Sequence, residues 1–322
     1  MSDIDSSKTP GQDNWHRDVV NKLAFAAVNE QRRARRWGIF YKGLLALYLV
    51  AIFVVYLPSD WSLSTSISEK HTALVELKGP ISDSSEASAD NVIGGLRDAF
   101  EDENTAGVII RANSPGGSPV QSAYIYSEIN RLRELYPDIP VYGVVSDVCA
   151  SGCYYAISAT DDIYVDKASI VGSIGVRMDS FGFVDTMEKL GVERRLYTSG
   201  ESKGFLDPFL PSKESDVEHV AELLGGIHEQ FITAVKEGRG DRLKEDSDLF
   251  TGLVWTGEES VEMGLADALG SSGYVAREII GEEEVVDFTQ EPDLLERITD
   301  RIGVAMVKAM GGMVTSRYGM VQ

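Results

Sequence analysis

From Thr72 onward, short apolar runs alternate with longer stretches in which apolar residues recur at helical spacing. Ala73–Leu77 predicts a strand, and Asn91–Phe100 predicts a helix with Ser88-Ala89-Asp90 supplying its caps. Gly107–Arg111 reads as a second strand, and a helix follows from Val120 to about Leu135. Val141–Val145 predicts a buried strand, Tyr154–Ala159 the first turns of a helix, and Ile163–Val165 another strand. A helix over Val184–Leu190 and a strand over Glu193–Tyr197 come next. Strands and helices alternating at this spacing give an α/β fold, a parallel sheet with crossover helices. A long helix begins at a capping box, Ser215 with Glu218. Its stripe of Val217, Val220, Leu223, Leu224, Ile227, Phe231 and Val235 is expected to face the core. Another short helix lies between Leu253–Gly257 and Gly264–Asp267, residues 294–322 are weakly amphipathic, and no internal repeat is visible.

The N-terminal part follows a different pattern. Arg32-Arg33-Ala34-Arg35-Arg36 and Trp37 precede an apolar run of 20 residues, Gly38 to Leu57, whose only charge is Lys42. At 1.5 Å per residue a helix of that length spans about 30 Å, the thickness of a hydrocarbon core. Trp37, Tyr41, Tyr56 and Trp61 suit the two interfaces. A cleaved signal peptide fits poorly, because the leader is long and no Ala-x-Ala site precedes Pro58. Arginines ahead of the run predict a cytoplasmic N-terminus, with all that follows Leu57 on the periplasmic or extracellular side of the cell membrane. The expected division is a cytoplasmic tail over 1–36, a single-pass anchor over 37–57, and a Ser-rich linker over 58–70. A globular domain over 71–290 and a tail over 291–322 complete it.

Net charge is -21, yet residues 1–36 hold seven Lys/Arg against five Asp/Glu, so the acidity lies beyond the apolar run. An acidic domain repels nucleic acid, which is not expected as a partner. Only Cys149 and Cys153 are present. They form no disulfide framework and cannot alone close a zinc site. A local disulfide across a sharp turn looks strained, so the expectation is a pair of small buried hydrophobes.

The candidate chemistry centres on Asp147-Val148-Cys149-Ala150-Ser151-Gly152-Cys153-Tyr154-Tyr155. A serine between small residues at a strand-to-helix corner suits a nucleophile, although a helix-capping serine is the plainer alternative. A serine nucleophile needs a base. His16 lies on the other side of the predicted anchor, His71 precedes the first strand, and His219 and His228 sit on the long helix, none on a strand-end loop. Lysine is the remaining option on loops: Lys167 can pair with Asp166, Lys213 reads as solvated, and Lys203 follows a strand beside Phe205 and Leu206. Upstream, Ser114-Pro115-Gly116-Gly117 lies between a strand and a helix, where glycines let backbone N–H groups approach a ligand. That suits an oxyanion hole with Gly152 N–H as second donor, and no lysine follows as in a phosphate loop.

Together these stretches resemble the bacterial signal peptide peptidase A family in its short form, over about residues 70–285. The resemblance rests on Asn113-Ser114-Pro115-Gly116-Gly117, Ala150-Ser151-Gly152-x-Tyr154-Tyr155, Gly172-Ser173-Ile174-Gly175-Val176, Gly200-x-x-Lys203 and Trp255-Thr256-Gly257 with Gly264-Leu265. Ser173 follows Ser151 by 22 residues and Lys203 by 52, as in the short forms. It implies a Clp protease/crotonase-like fold in which Ser151 is the nucleophile, Lys203 the general base and Ser173 the group orienting the lysine. Gly116, Gly117 and Gly152 would supply the oxyanion hole. No metal or cofactor is called for. The expected substrates are signal peptides and other hydrophobic peptides, the expected assembly a homo-oligomeric ring at the membrane. Two departures stand out: Ser151-Gly152-Cys153 where the family usually has Ser-Gly-Gly, and an apolar Gly204-Phe205-Leu206 after the lysine. Rival readings are a related membrane protease of different range, an acyl-CoA enzyme of the crotonase type, and an inactive membrane scaffold.

Overall fold

The computed structural model describes residues 10–55, 69–244 and 248–290. It comprises two compact units, Met1–Ile67 and Ser68–Gln322. Among its described residues the first holds one helix, α1 (Pro10–Val55, 46 residues). Around Trp37 its rings form a local cluster, with 5.8 Å between the centroids of Trp37 and Phe40 and 5.7 Å between Trp37 and Tyr41. Trp37, Phe40, Leu44, Leu47 and Leu49 are all exposed. Among the described residues no helix is long and apolar enough to cross a membrane. Tyr56 and Leu57 of the predicted anchor lie outside the described residues, as do most of the linker and the whole of the tail over 291–322.

The second unit is built on an eight-stranded sheet, parallel except at one edge. Its first strands are β1 (His71–Lys78), β2 (Thr105–Ser114) and β3 (Val141–Ala150). Helices α2 (Ala89–Glu101) and α3 (Pro119–Leu135) cross between them. Beyond β3 come α4 (Gly152–Ile157), β4 (Asp162–Val165) and β5 (Ile170–Gly172). The order is β6-β5-β3-β2-β1-β8, where β6 is Val254–Thr256 and β8 is Val285–Asp287. β4 also pairs with β3 and carries β7 (Ala268–Leu269). The two-residue period of the strands sorts their side chains. Ala73, Val75, Leu77, Val108, Ile110 and Ala112 face α2, α3 and α4 in the larger core. Leu74, Ile109 and Val144 face the π-helical turn Val275–Ile280 in a smaller one. Strands covered on both faces explain why they read as unbroken apolar runs.

Three predicted features differ in the structure. Glu193–Tyr197 is not a strand: it lies in an exposed arm between α5 (Val184–Lys189) and α6 (Glu214–Arg239), with no neighbouring strand to complete a ladder. α6 starts one residue ahead of Ser215, on an extended Lys213 with no side-chain cap, so Ser215 and Glu218 are inside the helix and form no capping box. The capping box occurs instead at α7 (Gly257–Glu262), between Thr256 and Glu259. The α6 stripe is core only at its C-terminal end, where Phe231, Ala234 and Val235 are buried, while Val217 and Leu223 stay exposed. That end is fastened by Arg239, fully buried, which donates to Gly264 O (3.0 Å) and to both carboxylate oxygens of Asp267 (2.7 and 2.9 Å).

Elsewhere in the unit, Glu128 of α3 is buried beneath Arg131 and Arg97, which donate to it at 2.7 and 2.6 Å. These hydrogen bonds, Arg131 first, hold its carboxyl down from 4.5 to about 2. A carboxyl depressed in the folded state contributes stability that is complete above its ordinary value and lost as pH falls towards the lowered one. Glu128→Gln is therefore expected to lower the melting temperature by several degrees at pH 7. Differential scanning calorimetry should find the gap to wild type closing between pH 4.5 and 2; a gap constant down to pH 2 would contradict this account.

Candidate active site

β3 runs to Ala150, past the predicted Val145, and α4 begins at Gly152, so Ser151 alone forms the corner. Its backbone sits at φ 53 and ψ -124, a conformation that costs a non-glycine residue roughly 1–3 kcal/mol. Ser151 occupies the N-cap position of α4 yet makes no side-chain cap hydrogen bond, so its hydroxyl is not spent on the helix. The backbone holds the corner instead: Ser151 N–H donates to Gly172 O at 2.8 Å, and Tyr155 N–H donates to Ser151 O at 3.0 Å.

The glycine loop lies directly against this corner. A Cβ on Gly116 would stand 2.6 Å from Gly152 N and 2.9 Å from Ser151 Cβ, distances real side chains do not tolerate. Gly116 has φ +89, and Gly117 packs so closely on the Ile81 carbonyl that a side chain there would overlap it. Gly116 N–H donates to Ser114 Oγ (3.1 Å), and Ser118 N–H to Ile81 O (2.8 Å). Behind the corner is Ser122, fully buried, whose hydroxyl donates to Ser118 O at 2.9 Å and occupies the space a Gly152 side chain would need. Ser122 was not a sequence candidate; the only signal is a small hydroxyl one turn beyond the Ser118 cap.

Ser173 is brought in by strand register. Ala150 pairs with Gly172, so Ser151 and Ser173 are the residues immediately past one β-pair, and both have φ 53. Ser173 N–H donates to Leu253 O at 2.7 Å. His228, set aside in the sequence because it lies on the long helix, reaches the next residue: its Nε2 is 3.1 Å from Ile174 O. A carbonyl oxygen only accepts, so Nε2 carries the proton and His228 braces this loop. Trp255 covers Gly172 from β6, its indole N–H buried without an acceptor among the described residues. Lys203 is placed otherwise. It sits on an exposed turn at 201–206, and among the described residues its amine makes no hydrogen bond or ion pair. Ser151, Gly152, Gly116, Gly117 and Ser173 thus come together, while the Lys203 amine contacts neither serine.

The cysteines are not separate hydrophobes. Cys149 and Cys153 form a disulfide, S–S 1.97 Å, with their Cα atoms 5.2 Å apart. The expectation of strain assumed that the two cysteines lie on either side of a sharp turn. With β3 and α4 meeting at a single residue, both side chains enter the same core and the Cα separation falls in the normal bridging range. Closing so short a loop contributes about 2 kcal/mol against the unfolded chain.

Residues 134–285 match the model of peptidase family S49, a span that includes Ser151, Ser173 and Lys203 but not the glycine loop. The chain is 29% identical over 255 residues to a putative signal peptide peptidase SppA of Enterococcus faecium, covering 77% of this chain and 72% of that protein. It is 30% identical over 209 residues to protease 4 of Haemophilus influenzae, 62% of this chain and 32% of the relative. It is also 44% identical over 212 residues to a Brucella abortus protein named Na(+)/H(+) antiporter NhaA, 66% of this chain but only 29% of that protein's length. The chain is thus similar to signal peptide peptidase A-like peptidases and to the peptidase family S49.

Because the Gly116 Cβ position overlaps the approach to Gly152 N–H, Gly116→Ala should slow fluorophosphonate labelling of Ser151 by about 100-fold with far-UV circular dichroism unchanged. Labelling at the wild-type rate would remove the glycine loop from the site.

Proposed function

We propose that this protein is a membrane-anchored serine endopeptidase that hydrolyses released signal peptides and other hydrophobic peptides, with Ser151 as nucleophile and Lys203 as general base. The observation that carries the reading is the Ser151 corner: an uncapped hydroxyl at a positive-φ strand-to-helix junction, with two glycines pressed against it and Gly152. Such corners expose a nucleophile while aiming backbone N–H groups at the carbonyl it attacks. In the reaction Ser151 Oγ attacks the peptide carbonyl as Lys203 takes its proton. Backbone N–H groups of Gly152 and the Gly116-Gly117 loop hold the oxyanion. Lys203, oriented by Ser173 Oγ, then protonates the leaving amine, and water hydrolyses the acyl-enzyme.

The anchor rests on the apolar run from Gly38 to Leu57, which extends past the described side chains of α1, and on the four arginines ahead of it. Those arginines keep residues 1–36 in the cytoplasm and the catalytic unit on the outer face. Assembly into a homo-oligomeric ring is supported by apolar surface that one copy leaves uncovered: Phe181 is 76% and Tyr197 88% exposed on the arm that carries Lys203, and Val217 and Leu223 are exposed on α6. Surface of this kind marks an interface, and an apolar interior suits extended hydrophobic substrates.

Ser151→Ala and Lys203→Ala are each expected to abolish cleavage of a signal-peptide substrate, with folding and particle size kept. Retained turnover by Lys203→Ala would overturn the base assignment. A lysine base must be unprotonated to act, so kcat/KM should rise with pH between 5 and 9; a flat profile counts against lysine.

A further inference from the structure

The Cys149–Cys153 disulfide spans the corner on which Ser151 stands, and no step of the proposed reaction uses it. Cys149 pairs with Ser114 of β2 on one side and with Val171 of β5 on the other. Each of those neighbours is two residues short of a group at the site, Gly116 in one case and Ser173 in the other. Cys153 lies in the first turn of α4, directly after Gly152. One covalent bond therefore joins the strand that registers the glycine loop and Ser173 to the helix that carries the Gly152 N–H. Between its ends the backbone holds Ser151 at φ 53, which a serine keeps only where its surroundings over-determine it.

We propose that this disulfide is the positioning element of the site, and that Ser151 becomes fully competent only after both thiols have been oxidised. The inference rests on the reading of Ser151 as nucleophile. Oxidation follows ordinary exchange. One cysteine thiolate attacks an external disulfide, small-molecule or protein, and expels one of its thiols. The second cysteine thiolate then attacks the mixed disulfide and expels the other. Two protons and two electrons leave the cysteine pair, and the oxidant's disulfide ends as two thiols. Both cysteines are fully buried in the finished fold, so exchange belongs to the folding stage and the completed bond is shielded from reductants. It acts as a permanent brace rather than a reversible switch. Cys149 and Cys153 are positioning residues, since neither touches substrate.

The test uses the full-length protein in detergent. Denatured without reductant, it should add no maleimide; reduced first, it should add two per chain. Cys149→Ala, Cys153→Ala and the double variant should all label with fluorophosphonate about tenfold more slowly than wild type, a loss typical of a displaced nucleophile. The three should agree, because each removes the same bond and the losses are not additive. The fall should appear in kcat, with KM within about twofold. Wild type reduced in urea and refolded with reductant controls for the cavity an alanine leaves; it should label as slowly, and at the wild-type rate when refolded with oxidised glutathione instead. Reductant added to the native protein should change nothing. Two reactive thiols in the native protein, or fast labelling of the reduced form, would overturn the bracing role and leave the peptidase reading standing. No labelling of any form, with the disulfide present, would instead defeat the serine reading and the bracing role with it.

Discussion

The structure turns on how β3 ends. For its first half β3 pairs with β2 and β4, and for its second half with β2 and β5, so its last residues are fixed from both sides. The register Ser114↔Cys149 and Ala150↔Gly172 places three otherwise distant stretches at one point in space. The backbone preferences of the residues around Ser151 would not by themselves hold a positive-φ serine in place. Ladder hydrogen bonds on two sides and the close approach of Gly116 restrain the corner, and the Cys149–Cys153 disulfide spans it. The strain is local and the restraint is the sheet, a usual division between functional sites and their scaffolds.

That division explains what could be read from the chain. Strands such as Ala73–Leu77 and Gly107–Arg111 were legible because both faces are buried, which leaves an apolar run that no surface loop resembles. The glycine loop was legible for a backbone reason, since Gly116 and Gly117 adopt positive φ against neighbouring backbone. Ser173 was reached only through family spacing; its physical placement depends on the β3–β5 register, which pairs residues 22 positions apart and leaves no local trace. The disulfide was missed for a related reason. Whether two cysteines four apart can bridge depends on where the strand stops, and the strand was read as ending at Val145 rather than Ala150.

The arm and the first half of α6 were misread in a different way. Glu193–Tyr197 follows a helix as a strand would, and the α6 stripe has the periodicity of a core helix, yet among the described residues the first pairs with no strand and the second is buried only at its C-terminal end. Periodicity reports that a face is made to be covered and does not report by what. Lys203 belongs to the same arm, exposed on its turn and in contact with neither serine.

The ion pair at the end of α6 bears on that uncovered surface. Arg239 forks onto Asp267 and Gly264 with no solvent around its guanidinium, and Phe231 and Val235 seat the turns before it. A helix of 26 residues is about 39 Å long, so its more exposed first half extends stiffly from a clamped root. In the ring proposed above, a neighbour docking on Val217 and Leu223 would meet a surface whose direction is already set, and would lose little conformational entropy at that contact. On that proposal, the clamp that looks purely structural would also lower the entropic cost of recruiting a neighbour.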